Sequence, residues 1–172
     1  MINLIQSERI LCVDPGPEFS GALDFDGVNF TIASAEYENN ELLALLQKIG
    51  PEGNGFVKKL IIEDIVGYGS AVGQTTFDTM FWVGRMVQAF GAEHSVRVSR
   101  RDVRMFFLNS ASGSKSAMRH ALYDLFPQTG GGTRPAIGTK KEPGPLFGIT
   151  SHLHEALQLG MWYKYSGACD KP

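Results

Sequence analysis

Long hydrophobic runs, paired cysteines and an export-type leader are all missing from this sequence of 172 residues. Its apolar stretches cover only a few residues, far fewer than the roughly 20 that a membrane-spanning helix needs. The two cysteines, Cys12 and Cys169, lie far apart and form no CxxC pair, which argues against a disulfide framework and a structural zinc site. The N-terminus has no basic start followed by an apolar run and a cleavage site, so we expect a cytoplasmic protein.

The overall composition is that of an ordinary globular protein. Hydrophobic residues make up 43% of the chain and charged residues 20%, which excludes a disordered or fibrous protein. The length is enough for one hydrophobic core and hardly enough for two. We therefore expect a single domain over residues 1–172.

The small net charge of -2 conceals a strong asymmetry along the chain. Residues 1–96 contain five Lys and Arg against 13 Asp and Glu, whereas residues 97–141 contain nine against two. A basic segment of this kind is either a solvated surface without a partner or a site for a polyanion such as nucleic acid. Charge alone does not decide between these two interpretations.

The residue pattern predicts one α/β domain in the order βββαβαβααα. Apolar β-branched runs predict five strands, at residues 9–13, 20–25, 28–35, 57–62 and 96–98, with a tight hairpin turn at Asp26-Gly27. Helical spacing and capping signals predict helices at 40–49, 75–90, 115–126 and 151–165, and one that begins after the N-cap Ser99 and ends near Leu108. Residues 127–149, rich in Gly, Pro and Lys, are predicted to be a functional loop.

Candidate metal ligands lie at the ends of three of these elements. Asp14 ends the first strand, Glu63 ends the fourth, and His152 and Glu155 are three residues apart on the last helix, where their side chains can reach one point. A buried carboxylate is costly unless it is paired or binds a cation, and several converging carboxylates repel each other until a divalent metal neutralises them. Two metals about 4 Å apart can hydrolyse a phosphodiester.

Each of these residues also has an ordinary structural interpretation. Asp14, which precedes Pro-Gly, could simply form a turn, and Glu155 could complement the dipole of its helix. His152 could be a surface histidine. Asp64 could take the place of Glu63, because the register of the strand is not visible in the sequence.

Three motifs resemble a known family. The first is ILCVDPG at 10–16, followed by SG at 20–21; the second is LIIE at 60–63, and the third is HLHEAL at 152–157. They are similar, in this order, to the acidic motifs of the RuvC-type Holliday junction resolvases of the RNase H-like superfamily, and most of all to phage-encoded members. The match to the second motif favours Glu63 over Asp64 as the ligand.

The resemblance continues between the acidic motifs. The segments RDVR at 101–104 and SKS at 114–116 look like the family segments that carry two basic residues near the active site, here Arg104 and Lys115. Tyr68 follows Glu63 where family members place an aromatic residue that enters the junction. The chain departs from the family in Glu155, where aspartate is more usual, and in the longer loop at 127–149, which adds Lys140 and Lys141.

The resemblance implies a fold and an activity. The fold would be a mixed five-stranded sheet, three antiparallel strands and then two parallel ones, with helices on both faces. The activity would be Mg²⁺-dependent cleavage of four-way DNA junctions, with two ions per site, Mn²⁺ as a substitute, and 5′-phosphate and 3′-hydroxyl products. Asp14 would bridge the metals, with Glu63, His152 and Glu155 as further ligands; the residues expected to contact DNA are Tyr68, Arg104, Lys115, Lys140 and Lys141.

Junction resolution needs two opposed nicks, so the resemblance also implies a C2 homodimer. The helix at 75–90, with Gly84 allowing close approach, is either the dimer interface or a purely core helix. Two rival functions remain at this stage. One is an RNase H-like nuclease that acts on flaps, forks or RNA-containing duplexes, and the other is a non-catalytic nucleic-acid-binding member of the superfamily.

Overall fold

A mixed five-stranded sheet forms the centre of the molecule. The structure, a computed structural model, describes residues 9–25, 32–67, 69 and 71–168, with the backbone alone at 32–34. In this part of the chain the sheet order is β3-β2-β1-β4-β5. The pairs β1–β2 and β2–β3 are antiparallel, whereas β1–β4 and β4–β5 are parallel, which confirms the predicted sheet. The strands are β1 (Ile10–Asp14), β2 (Phe19–Phe25), β3 (Ile32–Glu38), β4 (Lys59–Asp64) and β5 (Ser95–Ser99).

The helices confirm the predicted element order. They are α1 (Asn39–Ile49), α2 (Gln74–Phe90), α3 (Arg100–Leu108), α4 (Lys115–Asp124) and α5 (Ser151–Tyr165), with a short 3-10 turn at Ala92–His94. Serine caps fix the starts of two of them: Ser99 Oγ accepts from the Asp102 amide, and Ser114 Oγ accepts from the Ala117 amide. None of the described helices is long and apolar enough to cross a membrane.

The sheet separates two hydrophobic cores. Successive side chains of a strand point to opposite faces, so Cys12 of β1 lies on one face while Leu11 and Val13 lie on the other. The first face packs against α3, α4 and α5, and the second packs against α1 and α2. Helices thus cover both faces, as predicted.

Strand β3 ends later in the chain than predicted. The predicted strand ended at residue 35, and charge interrupts the apolar pattern only after it. The observed strand continues through Glu36 to Glu38, and both of these side chains are exposed. As an edge strand, β3 pairs with β2 alone and tolerates outward charges. The predicted hairpin turn at Asp26-Gly27 lies outside the described residues.

Helix α5 is buried on nearly all sides rather than along one stripe. Residues 153–161 are all buried, including His154 and Gln158, because the sheet covers one side of the helix and α3 another. At Gly160 an added Cβ would lie 2.9 Å from Cys12 Sγ, so glycine allows the helix to lie close against β1. The burial of α5 therefore extends well beyond a single side of the helix.

The loop at 127–149 is compact. Ala136 and Leu146 are buried in the core beside α5, and the Leu146 amide donates to the Ala136 carbonyl. Backbones approach so closely at Gly130 that an added Cβ would lie 2.6 Å from the Cα of Gly138. Apart from one isolated bridge, the loop contains no helix or strand, as predicted. Its anchors hold it directly before the first turn of α5.

Candidate active site

Two parallel strands bring Asp14 and Glu63 to the same edge of the sheet. Val13 of β1 is in register with Ile62 of β4, and Asp14 and Glu63 are the next residues of their strands. Because both follow the alternation set by Cys12 and Ile61, they belong to the face that α5 covers. Asp14 is only 7% exposed.

The register answers the question that the sequence left open between Glu63 and Asp64. Asp64 lies on the opposite face, where Arg97 donates to its Oδ1 at 2.6 Å and where α2 is the neighbouring helix. It therefore stands apart from Asp14. Glu63 is the acidic residue of β4 that shares the site.

The first turn of α5 brings His152 to Asp14. Its Nδ1 lies 2.8 Å from Asp14 Oδ2. When the Asp14 carboxyl is ionised it can only accept, and Nδ1 of His152 is then the donor of this hydrogen bond. The imidazole is about half exposed, so the ring is accessible from the outside.

One turn further along α5, Glu155 is almost fully buried. Its Oε1 lies 3.5 Å from Arg119 and 3.8 Å from Lys115, both on α4. Its Oε2 is buried and has no hydrogen-bond partner among the described residues. A buried carboxylate oxygen without a partner is costly, so this atom is suited to a cation.

Arg100, the first residue of α3, joins the two strand-end carboxylates. Its Nε donates to Glu63 Oε1 at 2.9 Å, and its terminal nitrogen pairs with Glu63 Oε2 and lies 3.4 Å from Asp14 Oδ1. Sequence reasoning counted Arg100 among the basic residues but assigned it no role in the site. A usable signal existed, because a residue that follows β5 must lie beside the end of its parallel neighbour β4.

Burial raises the pKa of both carboxyl groups at the strand ends, Asp14 and Glu63. It raises the pKa of Asp14, although the hydrogen bond from His152 and the charge of Arg100 act against it. Burial likewise raises the pKa of Glu63 to about 7, with Arg100 lowering it and the neighbouring Asp14 raising it further. The site therefore favours additional positive charge beside these carboxylates.

The donor set suits a hard divalent cation. Carboxylate oxygens are preferred by Mg²⁺, and an imidazole also suits Mn²⁺. Within the described residues, however, no three His, Cys, Asp or Glu side chains are close enough together to hold an ion. The reason is visible in the contacts: Arg100 bridges Asp14 and Glu63, while Glu155 faces α4.

Buried hydrogen bonds fix the turn that follows Asp14. Asn39 Nδ2 donates to the Gly16 carbonyl at 3.0 Å, and the Gly16 amide donates to Ser20 Oγ at 3.3 Å. Ser20 Oγ in turn donates to Asn39 Oδ1 at 2.6 Å. Sequence reasoning did not find Asn39, because a polar residue at the start of a helix is ordinarily a cap. The network holds the backbone that carries Asp14 in one conformation.

Two of the predicted DNA-contacting residues lie beside the carboxylates, and two lie at a loop end. Arg104 and Lys115 line a small cavity together with Arg100, Glu155 and Gln158. Lys140 and Lys141 are exposed at the turn of the 127–149 loop, and no hydrogen bond or ion pair joins them to the carboxylates in the described part of the chain. Tyr68 lies outside the described residues.

The sheet and the position of the site define an RNase H-like fold. No family model matches the sequence, and no curated protein matches it well enough to identify a relative. Among solved structures, the chain is similar to RuvC of T. thermophilus in complex with a Holliday junction substrate, with a TM-score of 0.62 and 12% identity. The match covers 95% of this chain and 96% of that one.

Two further structures have the same architecture. A second structure of Thermus thermophilus RuvC gives a TM-score of 0.59 at 11% identity, over 94% of this chain and 96% of that one. A complex of Fowlpox virus resolvase with Holliday junction DNA gives 0.50 at 16% identity, over 92% and 97%. The chain shares the fold of these proteins over nearly its whole length, as the sequence resemblance predicted.

Proposed function

We propose that the protein is a RuvC-type, metal-dependent endonuclease that resolves four-way DNA junctions by paired symmetric nicks. The observation that supports this most directly is the placement of Asp14, Glu63 and His152 at one end of the sheet, with Glu155 one turn further along α5 beside basic side chains of α4. Similar structures of the same fold were solved with Holliday junction DNA.

In this proposal Asp14, Glu63, His152 and Glu155 hold two Mg²⁺ ions, and Mn²⁺ can replace them. Such ions would supply activation of a water molecule and stabilisation of the leaving oxygen of a phosphodiester. Contacts within the chain position the side chains that would bind the ions. The 2.8 Å contact between His152 Nδ1 and Asp14 Oδ2 holds the ring of His152 beside the proposed site. Glu155 Oε2, which is buried and has no hydrogen-bond partner among the described residues, would be available to such an ion.

The basic side chains complete a surface for the DNA backbone. Arg104 and Lys115 border the carboxylates, and the side chain of Lys115 is 80% exposed. The anchored loop at 127–149 presents Lys140 and Lys141 to the outside. We propose that all four contact phosphates, and that Tyr68 contacts the junction itself. The four basic residues are among the nine Lys and Arg between residues 97 and 141.

The proposed active form is a homodimer, because two opposed nicks require two sites. Helix α2 supplies the proposed interface. Its inner side, with Val83 and Phe90, belongs to the core, while Phe77 and Phe81 on the outer side are 53% and 60% exposed. Large exposed aromatic residues on one helix are typical of a surface that another protein covers.

The function is tested by incubating labelled four-way junction, Y-fork and linear duplex DNA with the protein in Mg²⁺. The wild type is compared with Asp14→Asn and with the matched control Asp64→Asn, which removes a carboxylate from the opposite face of the sheet. We expect paired symmetric nicks on the junction from the wild type and from the control, and none from Asp14→Asn.

The other outcomes separate the rival functions. Equal cutting of all three substrates would mean that the protein is a nuclease without specificity for four-way junctions. Binding of the junction without cutting, in both Mg²⁺ and Mn²⁺, would identify a non-catalytic binding protein. Cutting by Asp14→Asn at the wild-type rate would show that the chemistry takes place elsewhere.

A further inference from the structure

Arg100 makes a two-sided contact that the proposed chemistry does not use. Its guanidinium pairs with both oxygens of Glu63 and reaches Asp14 Oδ1. The side chain is 25% exposed, so the pairing is partly shielded from water. Such charge-assisted, two-pronged contacts between arginine and a carboxylate are stronger than single hydrogen bonds.

The contact takes up the oxygens that a metal would need. Asp14 Oδ2 faces His152 and Oδ1 faces Arg100, while Glu63 gives both of its oxygens to Arg100. Glu63 Oε2 and Glu155 Oε2 both lack a hydrogen-bond partner among the described residues, but Glu63 Oε2 forms an ion pair with Arg100. Positive charge in the gap between Asp14 and Glu63 therefore comes from the chain itself.

We propose that Arg100 is an internal counter-ion that competes with the metal for Asp14 and Glu63. It holds the two carboxylates together in the metal-free protein and leaves them when the ion binds. This inference rests on the metal-dependent function proposed above. It assigns Arg100 a role as a positioning residue rather than a ligand.

Arg100 also lines the small cavity that Arg104, Lys115 and Glu155 line. Its guanidinium is therefore next to the proposed phosphate-contacting residues as well as to the two carboxylates.

The chain offers a closely matched control for this inference. Arg97 of β5 pairs with Asp64 of β4, at 2.6 Å, on the opposite face of the same two strands. The variants Arg100→Gln and Arg97→Gln thus each remove one arginine that pairs with one acidic residue of β4. Arg100→Gln frees Glu63, which faces the candidate active site, whereas Arg97→Gln frees Asp64, which lies on the opposite face of the sheet.

The test measures Mn²⁺ binding in the absence of DNA, by titration with detection of free Mn²⁺ by electron paramagnetic resonance. We expect Arg100→Gln to bind Mn²⁺ about tenfold more tightly than the wild type, the equivalent of one charge-assisted hydrogen bond. Arg97→Gln should bind like the wild type. In chelator, Arg100→Gln should melt at a lower temperature than Arg97→Gln, and Mn²⁺ should raise its melting temperature more than that of the wild type.

Unchanged or weaker Mn²⁺ binding by folded Arg100→Gln would overturn the inference and leave the proposed function standing. Absence of Mn²⁺ binding in the wild type would overturn both. If Arg100→Gln does not fold in chelator, Arg100→Lys provides the measurement, because its single ammonium cannot bridge two carboxylates in the same way. Its Mn²⁺ affinity should then exceed that of the wild type, and equal affinity would again overturn the inference.

Discussion

His152 sits directly over Gly21, in the space that a side chain at that position would fill. A Cβ added to Gly21 would lie 2.8 Å from the Cβ of His152 and 3.1 Å from its backbone carbonyl. Gly21 belongs to β2 and pairs with Asp14 of β1. The glycine of the SG motif thus lets the first turn of α5 approach the strand that carries the first carboxylate.

Gly21→Ala should therefore reduce cleavage. The added methyl group forces the start of α5 away from β2 and moves His152 from Asp14, at a cost of about 1–3 kcal/mol in the free energy of unfolding. We expect a loss of activity of at least about tenfold, since about 1 Å of misplacement is enough for such a loss. Gly73→Ala is the control, because a Cβ there meets nothing within 4 Å. Equal activity of the two variants would contradict the argument.

The stability of the metal-free protein should depend on pH through Glu63. Burial raises the pKa of its carboxyl from 4.5 to about 7, so the folded state binds this proton more strongly than the unfolded state does. Its contribution is therefore fully present below pH 4.5 and is lost as the pH rises through about 7. The raised pKa of Asp14 acts in the same direction, while the lowered pKa of His154 acts in the opposite one.

Thermal unfolding in chelator across this pH range isolates the effect. We expect Glu63→Gln to lose stability less steeply than the wild type, with a difference on the order of 2 kcal/mol between pH 4.5 and 8. Asp64→Asn should follow the wild-type curve. Parallel curves for the wild type and Glu63→Gln would mean that Glu63 titrates normally in the folded protein.

Substitution of His152 should show whether this residue is a metal ligand or has no part in the reaction. His152→Asp supplies a carboxylate at the same point of α5, so we expect it to remain active in Mg²⁺. His152→Ala should lose at least about tenfold in cleavage rate. The wild type should work at least as well in Mn²⁺ as in Mg²⁺, because the imidazole also suits Mn²⁺. A correctly folded but inactive His152→Asp would contradict the assignment.

The phosphate contacts can be counted from the salt dependence of DNA binding. Neutralising Arg104, Lys140 or Lys141 by glutamine should weaken binding to all sequences and reduce the slope of log K against log salt by about 1. Lys48→Gln is the control, because Lys48 is exposed on α1, at the opposite face of the sheet. A variant whose affinity is unchanged at both low and high salt does not remove a phosphate contact.

Phe81→Glu tests the proposed dimer interface on α2. A charge placed among Phe77, Met80 and Phe81 should convert a dimer into monomers, which sedimentation velocity measures directly. The monomer should still bind DNA but should no longer make paired nicks. Leu125→Glu, which changes an exposed apolar residue on the opposite face, should remain dimeric. An unchanged sedimentation coefficient for Phe81→Glu would place the interface elsewhere.

Much of the fold could be predicted because its signals are local. The apolar run that ends at Asp14 and the serine cap before α3 each depend on a few adjacent residues, and the structure contains both. The end of β3 could not be predicted in the same way. The exposed Glu36 and Glu38 are acceptable only because β3 is an edge strand, and this property belongs to the whole sheet.

The candidate site, too, could be predicted from the sequence only where the signal comes from neighbouring residues. The acidic residues could be listed from the sequence, yet the separation of Glu63 from Asp64 required the register of β4 against β1. Arg100 was missed because its partners are 37 and 86 residues away in the chain. The loop at 127–149 was expected, but its anchoring through Ala136 and Leu146 depends on a core that the loop itself helps to form.

The two hydrophobic cores differ in where they lie relative to the carboxylates of the candidate site. Asp14 and Glu63 leave the sheet on the side of α5, and α1 and α2 meet only the side chains that leave it in the other direction. Asn39 of α1 fixes the turn after Asp14, so the freedom for change is greatest on the outer surfaces of α1 and α2, away from that contact. Substitutions on those outer surfaces can alter what the molecule contacts on one side while the carboxylates on the other side keep their positions.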